Sequence, residues 1–258
     1  MAYETFAAKA FSRLVCDADI DDLFRIHAVT VLRNRIARSI LQLALWKKAG
    51  FDRRGLNSAA YSLRQIIEAS AAALLLRVDP LRVLLLCEAQ RTGSYELHRR
   101  NILAVQWQGD VLPDQKHLDI SGSLDPKKID RALFSAPHEK VVWIPALTSL
   151  TDRFAMESSP NSWKVEAMKL EAEDFVKQCT SQLNNFYSLA SKEVHVELLT
   201  ERPRVVDPED LRQAVTSTIK WFTLCGSILS LSQICKTQLT YERASALHSS
   251  VEEVFGSY

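Results

Sequence analysis

Residues 17–50, DADIDDLFRIHAVTVLRNRIARSILQLALWKKAG, constrain the fold more than any other part of the chain. Apolar residues recur there three and four positions apart, which places them in one stripe along an α-helix. The stripe consists of Val29, Leu32, Ile36, Ile40 and Leu43. Acidic residues precede it, and a Lys-Lys-Ala-Gly sequence ends it, an order that complements the helix dipole and stops the helix at glycine. A long helix with one apolar face predicts that other helices pack against it.

Similar patterns fill most of the remaining chain. Glycine is scarce, with 7 in 258 residues, so the sequence supplies few of the residues that interrupt helices. We expect further helices over 57–79, 80–105, 146–157, 158–199 (as two helices), 207–239 and 240–255. The sequence therefore predicts an all-α bundle of about seven to nine helices, forming a single domain over residues 1–258.

The helical pattern fails near the middle of the chain. Residues 105–145 are rich in Gly, Pro, Asp and Ser, which predicts a long irregular insert. Within it, KVVWIP at 140–145 is predicted to form a short strand or an extended segment.

Several common sites have no support. The chain contains no GxGxxG, GxxxxGK[ST], HExxH, GxSxG or CxxC motif, so we expect neither a cofactor nor a metal ion. Five cysteines without a CxxC pair suit free thiols in a reducing compartment. The amino-terminal residues lack a signal-peptide pattern, and no apolar run is long enough to span a bilayer. These features predict a cytoplasmic protein without a membrane partner.

Charge is distributed unevenly along the chain. Residues 1–100 contain 16 Lys and Arg against 10 Asp and Glu, whereas residues 101–258 contain 16 against 21. A basic half can bind phosphate groups, although ordinary surface charge also explains it. The candidate nucleic-acid contacts are Arg33, Arg35, Arg38, Arg53 and Arg54.

The segment NNFYSLASKEVHVELL, residues 184–199, carries an unusual polar strip. On a helix, residues three and four positions apart share a face. The strip consists of Asn184, Ser188, Ser191 and His195, with Tyr187 beside it. Small hydroxyl groups around one imidazole suit a half-buried cleft, where histidine can transfer protons near neutral pH. A structural histidine with its hydrogen bonds satisfied remains the alternative.

A second candidate element is YSLRQIIEAS, in which Arg64 and Glu68 are one helical turn apart. Arg64 borders the apolar face of its helix, so Glu68 is its expected ion-pair partner. The remaining guanidinium donors suit a phosphate group, and a purely structural ion pair is the alternative.

The two elements LRQIIE (63–68) and FYSLASKEVH (186–195) resemble members of the HEPN superfamily, the higher eukaryotes and prokaryotes nucleotide-binding domains. The resemblance implies an all-helical bundle that is usually dimeric. Many such proteins are metal-independent ribonucleases of defence or toxin–antitoxin systems, and others only bind partners. In active members, an arginine four to six residues before a histidine steadies the phosphate, and the histidine assists attack by the RNA 2′-hydroxyl.

This chain departs from that motif because Ser188, Leu189 and Ala190 occupy the positions where the arginine should precede His195. Arg64 is the candidate replacement. Three other pairs have suitable spacing, namely Arg91 with His98, Arg131 with His138, and Arg243 with His248. The last pair lies in an expected terminal helix and is the rival site.

Two functions follow as hypotheses. In the first, the chain is a nucleic-acid-directed effector and possible endoribonuclease. Arg64 then holds the phosphate and Glu68 orients Arg64. His195 acts as acid or base, and Ser191 and Tyr187 polarise the cleft. In the second, it is a non-catalytic interaction subunit in which these residues join two helices. A homodimer or a partner protein of the same system is expected in either case. The ribonuclease hypothesis requires open space beside Arg64 for the RNA and several arginines around one opening to bind its phosphates.

Overall fold

The computed structural model describes residues 2–17, 23–49, 53–91, 104–113, 130–155, 157, 161–194, 207–235 and 239–256. The α-helices are α1 (Ala2–Cys16), α2 (Leu23–Ala49), α3 (Arg53–Val78), α4 (Pro80–Arg91), α5 (Ala136–His138), α6 (Ile144–Ala155), α7 (Ser162–Met168), α8 (Ala172–Val194), α9 (Pro208–Leu229) and α10 (Tyr241–Phe255). A π-helical turn, Glu139–Trp143, joins α5 to α6. Among the described residues there is no strand, so the all-α prediction is confirmed.

Helices α3 and α9 form the centre of the bundle. Every residue from Ala69 to Arg77 of α3 is buried, as is every residue of α9 from Trp221 to Leu229. Helices α1, α2 and α8 pack against α3, and α1, α8 and α10 pack against α9. The long apolar runs in α3 and α9 therefore bury all sides of each helix, as expected for helices at the centre of a core.

The predicted stripe of α2 is confirmed in its main features. Val29, Ile36, Ile40 and Leu43 are buried, and Leu32 packs against the core as a partly buried residue. Helix α2 is antiparallel to α3, and the hydroxyl of Ser62 donates a hydrogen bond to Gln42 Oε1 at 3.2 Å. This pairing sets the register of the two helices, and it places residues near 35 on α2 opposite residues near 69 on α3.

Helix α1 was not among the expected helices. It buries Ala7, Phe11, Leu14 and Val15 against the central helices. A close approach to α9 is possible because position 226 is glycine: a Cβ atom there would lie 3.0 Å from Leu14 O.

The insert near 105–145 is less irregular than expected. An unbroken helical run extends from Ala136 through α5, the π-helical turn and α6. The prediction of a strand or an extended segment at 140–145 is therefore wrong. Val142 and Trp143 favour strands by propensity, but both are buried within this helical run, and packing overrides a weak local preference.

The helix that begins at Pro80 was expected to extend to 105 or to break or kink at Gly93. Helix α4 ends at Arg91, and Ala104, Val105 and Gln106 are not helical, so the expected end at 105 is wrong. Residues 92–103 lie outside the described residues. In the part of the chain that the structure describes, no helix combines the length and apolar character needed to cross a bilayer.

Candidate functional site

Arg64 and Glu68 form the expected ion pair on α3. The Nε atom of Arg64 donates to Glu68 Oε1 at 2.9 Å, and the side chains are 22% and 36% exposed. Burial lowers the pKa of Arg64, but the hydrogen bond and negative charge of Glu68 outweigh this effect and raise it. Arg64 is thus a permanent cation whose charge is neutralised by its neighbour.

Tyr187 of α8 joins this pair. Arg64 Nη2 donates to the Tyr187 hydroxyl at 3.3 Å, and the hydroxyl lies 3.5 Å from Glu68 Oε1, to which it can donate. The guanidinium carbon lies 5.3 Å from the centroid of the tyrosine ring, within the range of a cation–π contact. These three side chains, which we call the α3–α8 cluster, link two helices that are far apart in sequence.

Trp107 also packs against Tyr187. The two rings stack with their centroids 4.5 Å apart and an angle of 10° between their planes. Trp107 Nε1 also donates to Asn184 Oδ1 of α8 at 3.0 Å. Sequence reasoning placed Trp107 only in the irregular insert and did not assign it to the site.

The turn that holds Trp107 depends on a glycine and an aspartate. Gly109 has φ +100°, a conformation that glycine adopts without strain. The buried carboxylate of Asp110 accepts from the Gln106 backbone N–H at 2.8 Å and pairs with Arg82 of α4. In the sequence, the signal for this turn was Trp107 followed directly by polar residues and Gly109.

The polar strip on α8 is mostly used within the fold. The Ser191 hydroxyl donates to the Tyr187 carbonyl oxygen of its own helix at 2.7 Å. Asn184 binds Trp107, and Ser188 is exposed. His195 lies outside the described residues, so its expected approach to Arg64 is not described.

An open groove of about 470 Å³ lies between α2, α3 and α4, beside the α3–α8 cluster. Its volume falls within the range of ~300–1,000 Å³ typical of ligand sites. Glu68 and Arg35 both line it, as do His27, Gln90 and Arg91. The apolar part of its lining includes Ala28, Val31, Leu32, Ala69, Ala72 and Val83.

Of the three candidate nucleic-acid arginines whose side chains the structure describes, only Arg35 lines the groove. Arg35 lines the groove and Arg38 is exposed elsewhere on α2. The charge of Arg33 acts on Cys16 of α1, away from the groove. Arg53 and Arg54 begin α3, and their side chains lie outside the description. At 1.5 Å per residue, their helix positions are roughly 20 Å from Glu68.

The rival pair Arg243 and His248 does not form an open site. Arg243 is exposed, whereas His248 is completely buried, with Nδ1 3.0 Å from Ser227 Oγ and Nε2 3.4 Å from Glu252 Oε2. Burial lowers the pKa of His248, and this effect outweighs the nearby carboxylate of Glu252, which acts to raise the pKa. The lowered pKa favours the neutral imidazole. Five positions apart on one helix, the two side chains point in different directions.

In the remaining two pairs, Arg131 with His138 and Arg91 with His98, each described side chain binds another group of the fold. Arg131 forms two hydrogen bonds to Asp79, at 2.8 and 2.7 Å. His138 Nδ1 lies 2.7 Å from the Ala132 carbonyl oxygen. Arg91 pairs with Glu88 at 3.3 Å, and His98 lies outside the described residues.

A polar network between α7 and α10 was not expected from the sequence. Lys164, which is buried, donates to both carboxylate oxygens of Glu157 at 3.1 and 3.0 Å and to Ser245 Oγ at 2.7 Å. Burial raises the pKa of Glu252, but its close contact with His248 and hydrogen bonds from the Ser162 hydroxyl and the Trp163 backbone N–H lower it to about 2. The network closes the polar side of α10 against α7 and leaves Lys164 without access to solvent.

Among the described residues, no group of His, Cys, Asp and Glu side chains is arranged to hold a metal ion. The chain matches no protein-family model, no curated protein and no solved structure.

Proposed function

We propose that the protein is a non-catalytic helical interaction subunit and that its partner binds in the groove between α2, α3 and α4. One observation carries the proposal: the polar groups of the described catalytic candidates bind one another, while an open groove lies beside them. Arg64 binds Glu68 and Tyr187, Tyr187 stacks on Trp107, and Ser191 binds its own helix.

Charge and polarity of the groove indicate the chemistry of the partner. Glu68 is neutralised by Arg64, and Arg91 pairs with Glu88. Arg35 forms no ion pair with any described residue. We therefore infer that the partner binds through a protein segment. Its apolar side chains contact the apolar lining of the groove, and an acidic side chain pairs with Arg35. An exposed valine, Val31, contributes to the same lining.

A second candidate is a metal-independent ribonuclease of a prokaryotic defence or toxin–antitoxin system, as the HEPN resemblance implies. Two features favour it: Arg64 keeps 22% of its side chain exposed, and Arg35 lines the same groove as Glu68. Two guanidinium groups near one opening suit RNA phosphates. His195 would then serve as the acid or base.

Induced expression of the wild-type chain, Arg64→Ala and His195→Ala separates the two candidates. The interaction subunit should leave growth and cellular RNA unchanged in all three strains. Growth arrest with RNA cleavage in the wild type, relieved by both substitutions at equal protein level, would instead establish the ribonuclease.

A matched pair of surface variants then tests the groove. Val31→Arg places a cation on the apolar lining of the groove. Val141→Arg changes a valine outside the groove whose exposure is similar, 53% for Val141 and 46% for Val31. Partner binding should be lost only in Val31→Arg. A second copy of the chain as the bound molecule would identify the groove as a dimer interface.

A further inference from the structure

Cys179 of α8 and Cys225 of α9 bring two buried thiols into contact. Their sulfur atoms are 3.6 Å apart, and neither side chain has any exposed surface. The residues are 46 positions apart in the chain, so packing of the two helices alone brings them together.

The register of α8 and α9 is fixed one helical turn earlier. Phe175 and Trp221 are each four residues before one of the cysteines, and their rings meet edge to face with centroids 5.3 Å apart. The Phe175–Trp221 contact and the Cys179–Cys225 contact both join residues 46 positions apart. Because one step along α8 therefore matches one step along α9, the two helices run in the same direction here. Side chains in such a close-packed core have little freedom to separate.

We propose that Cys179 and Cys225 are a covalent modification site at which hydrogen peroxide forms an intrachain disulfide. The thiolate of one cysteine attacks a peroxide oxygen, the O–O bond breaks, and a sulfenic acid and hydroxide form; the hydroxide takes up the thiol proton and leaves as water. The second thiol then attacks the sulfenic sulfur, forming the S–S bond and releasing another water. The two sulfurs lose two electrons, and one peroxide gains them.

The required movement is small compared with the starting separation. A disulfide bond is ~2.0 Å long, so the sulfurs must approach by roughly 1.5 Å, which side-chain rotation and a slight helix shift can supply. Burial raises the pKa of Cys179, so little thiolate is present near neutral pH and the reaction is slow. The reaction should accelerate as pH rises.

The remaining cysteines provide internal controls. Cys87 is half-buried, and Cys16 and Cys235 are buried elsewhere. No sulfur–sulfur contact joins any of these three to another described cysteine. Oxidation at Cys87 should therefore stop at sulfenic acid or a more oxidised form, without an intrachain partner.

The test treats the folded protein with hydrogen peroxide, blocks free thiols with N-ethylmaleimide and maps peptides under non-reducing conditions. We expect a Cys179–Cys225 linked peptide that disappears after dithiothreitol treatment. It should form equally in Cys87→Ser and be absent from Cys225→Ser. Melting curves establish that each variant is folded, and the wild-type map alone decides the question if Cys225→Ser does not fold. The proposal is overturned if both thiols stay free in oxidised folded protein, or if they link only after denaturation.

Discussion

Arg77 provides the sharpest test of how the central helices are held together. Its side chain is 3% exposed at the end of α3. The Nη1 atom donates to the carbonyl oxygens of Leu14 and Gly226, at 3.0 and 3.2 Å, and Nη2 lies 3.9 Å from Asp17 Oδ2. One guanidinium thereby links α1, α3 and α9.

We expect Arg77→Met to lower the free energy of unfolding by about 2–4 kcal/mol. Hydrogen bonds that involve a charged group contribute about 1.5–3 kcal/mol each, and two are lost. Part of this loss is offset because Arg77 Nε and Nη2 are buried without a hydrogen-bond acceptor, and methionine removes their desolvation cost. For a chain of this size, the melting temperature should fall by about 5–15 °C.

Urea denaturation of Arg77→Met measures the change, with Arg38→Met as the control on the exposed surface of α2. Adding Asp17→Asn should recover part of the loss, because it removes the carboxylate charge that Arg77 no longer balances. Asparagine also tolerates the positive φ of residue 17, which is 47°. Stability of Arg77→Met within about 0.5 kcal/mol of the wild type would refute the structural role of this arginine.

Three further outcomes follow from the same structure. Arg64→Ala should cost about 1 kcal/mol in urea denaturation, since a partly exposed ion pair and a cation–π contact each contribute less than that; a loss above about 3 kcal/mol would contradict a solvated pair. Gly226→Ala should lower the melting temperature although alanine favours helices, because its Cβ would lie 3.0 Å from Leu14 O; an unchanged or higher value would disprove the close approach. Burial lowers the pKa of His248 below its unfolded value, so the unfolded state binds more protons and stability should fall as pH drops from about 7 to 5. In His248→Gln this dependence should weaken, whereas in the exposed control His27→Gln it should persist; equal slopes in all three proteins would contradict the assignment.

The helical architecture was predictable because it depends on local periodicity. The apolar stripe of α2 is visible in the sequence and present in the structure. Helix α1 was missed although Ala7, Phe11 and Leu14 follow helical spacing. The helix at 140–145 was misread because valine and tryptophan favour strands locally, and the packing that decides their conformation is not local.

The site was only partly predictable for the same reason. Arg64 and Glu68 pair across one helical turn, so spacing alone revealed their contact. Trp107 reaches Tyr187 from an irregular turn, where no periodicity indicates which way a side chain faces. The burial of His248 did leave a signal, since Ala244 and Val251 lie on the same helical stripe.

Site-specific photo-crosslinking in the native cells determines whether a protein partner binds in the groove between α2, α3 and α4. A benzoylphenylalanine residue replaces Val31 in the groove or, as the control, Val141 outside it. We expect a discrete protein adduct from position 31 that is absent from position 141, with cellular RNA intact. Identical adducts from both positions, no adduct from position 31, or an adduct removed by ribonuclease would contradict the groove as a protein-binding site.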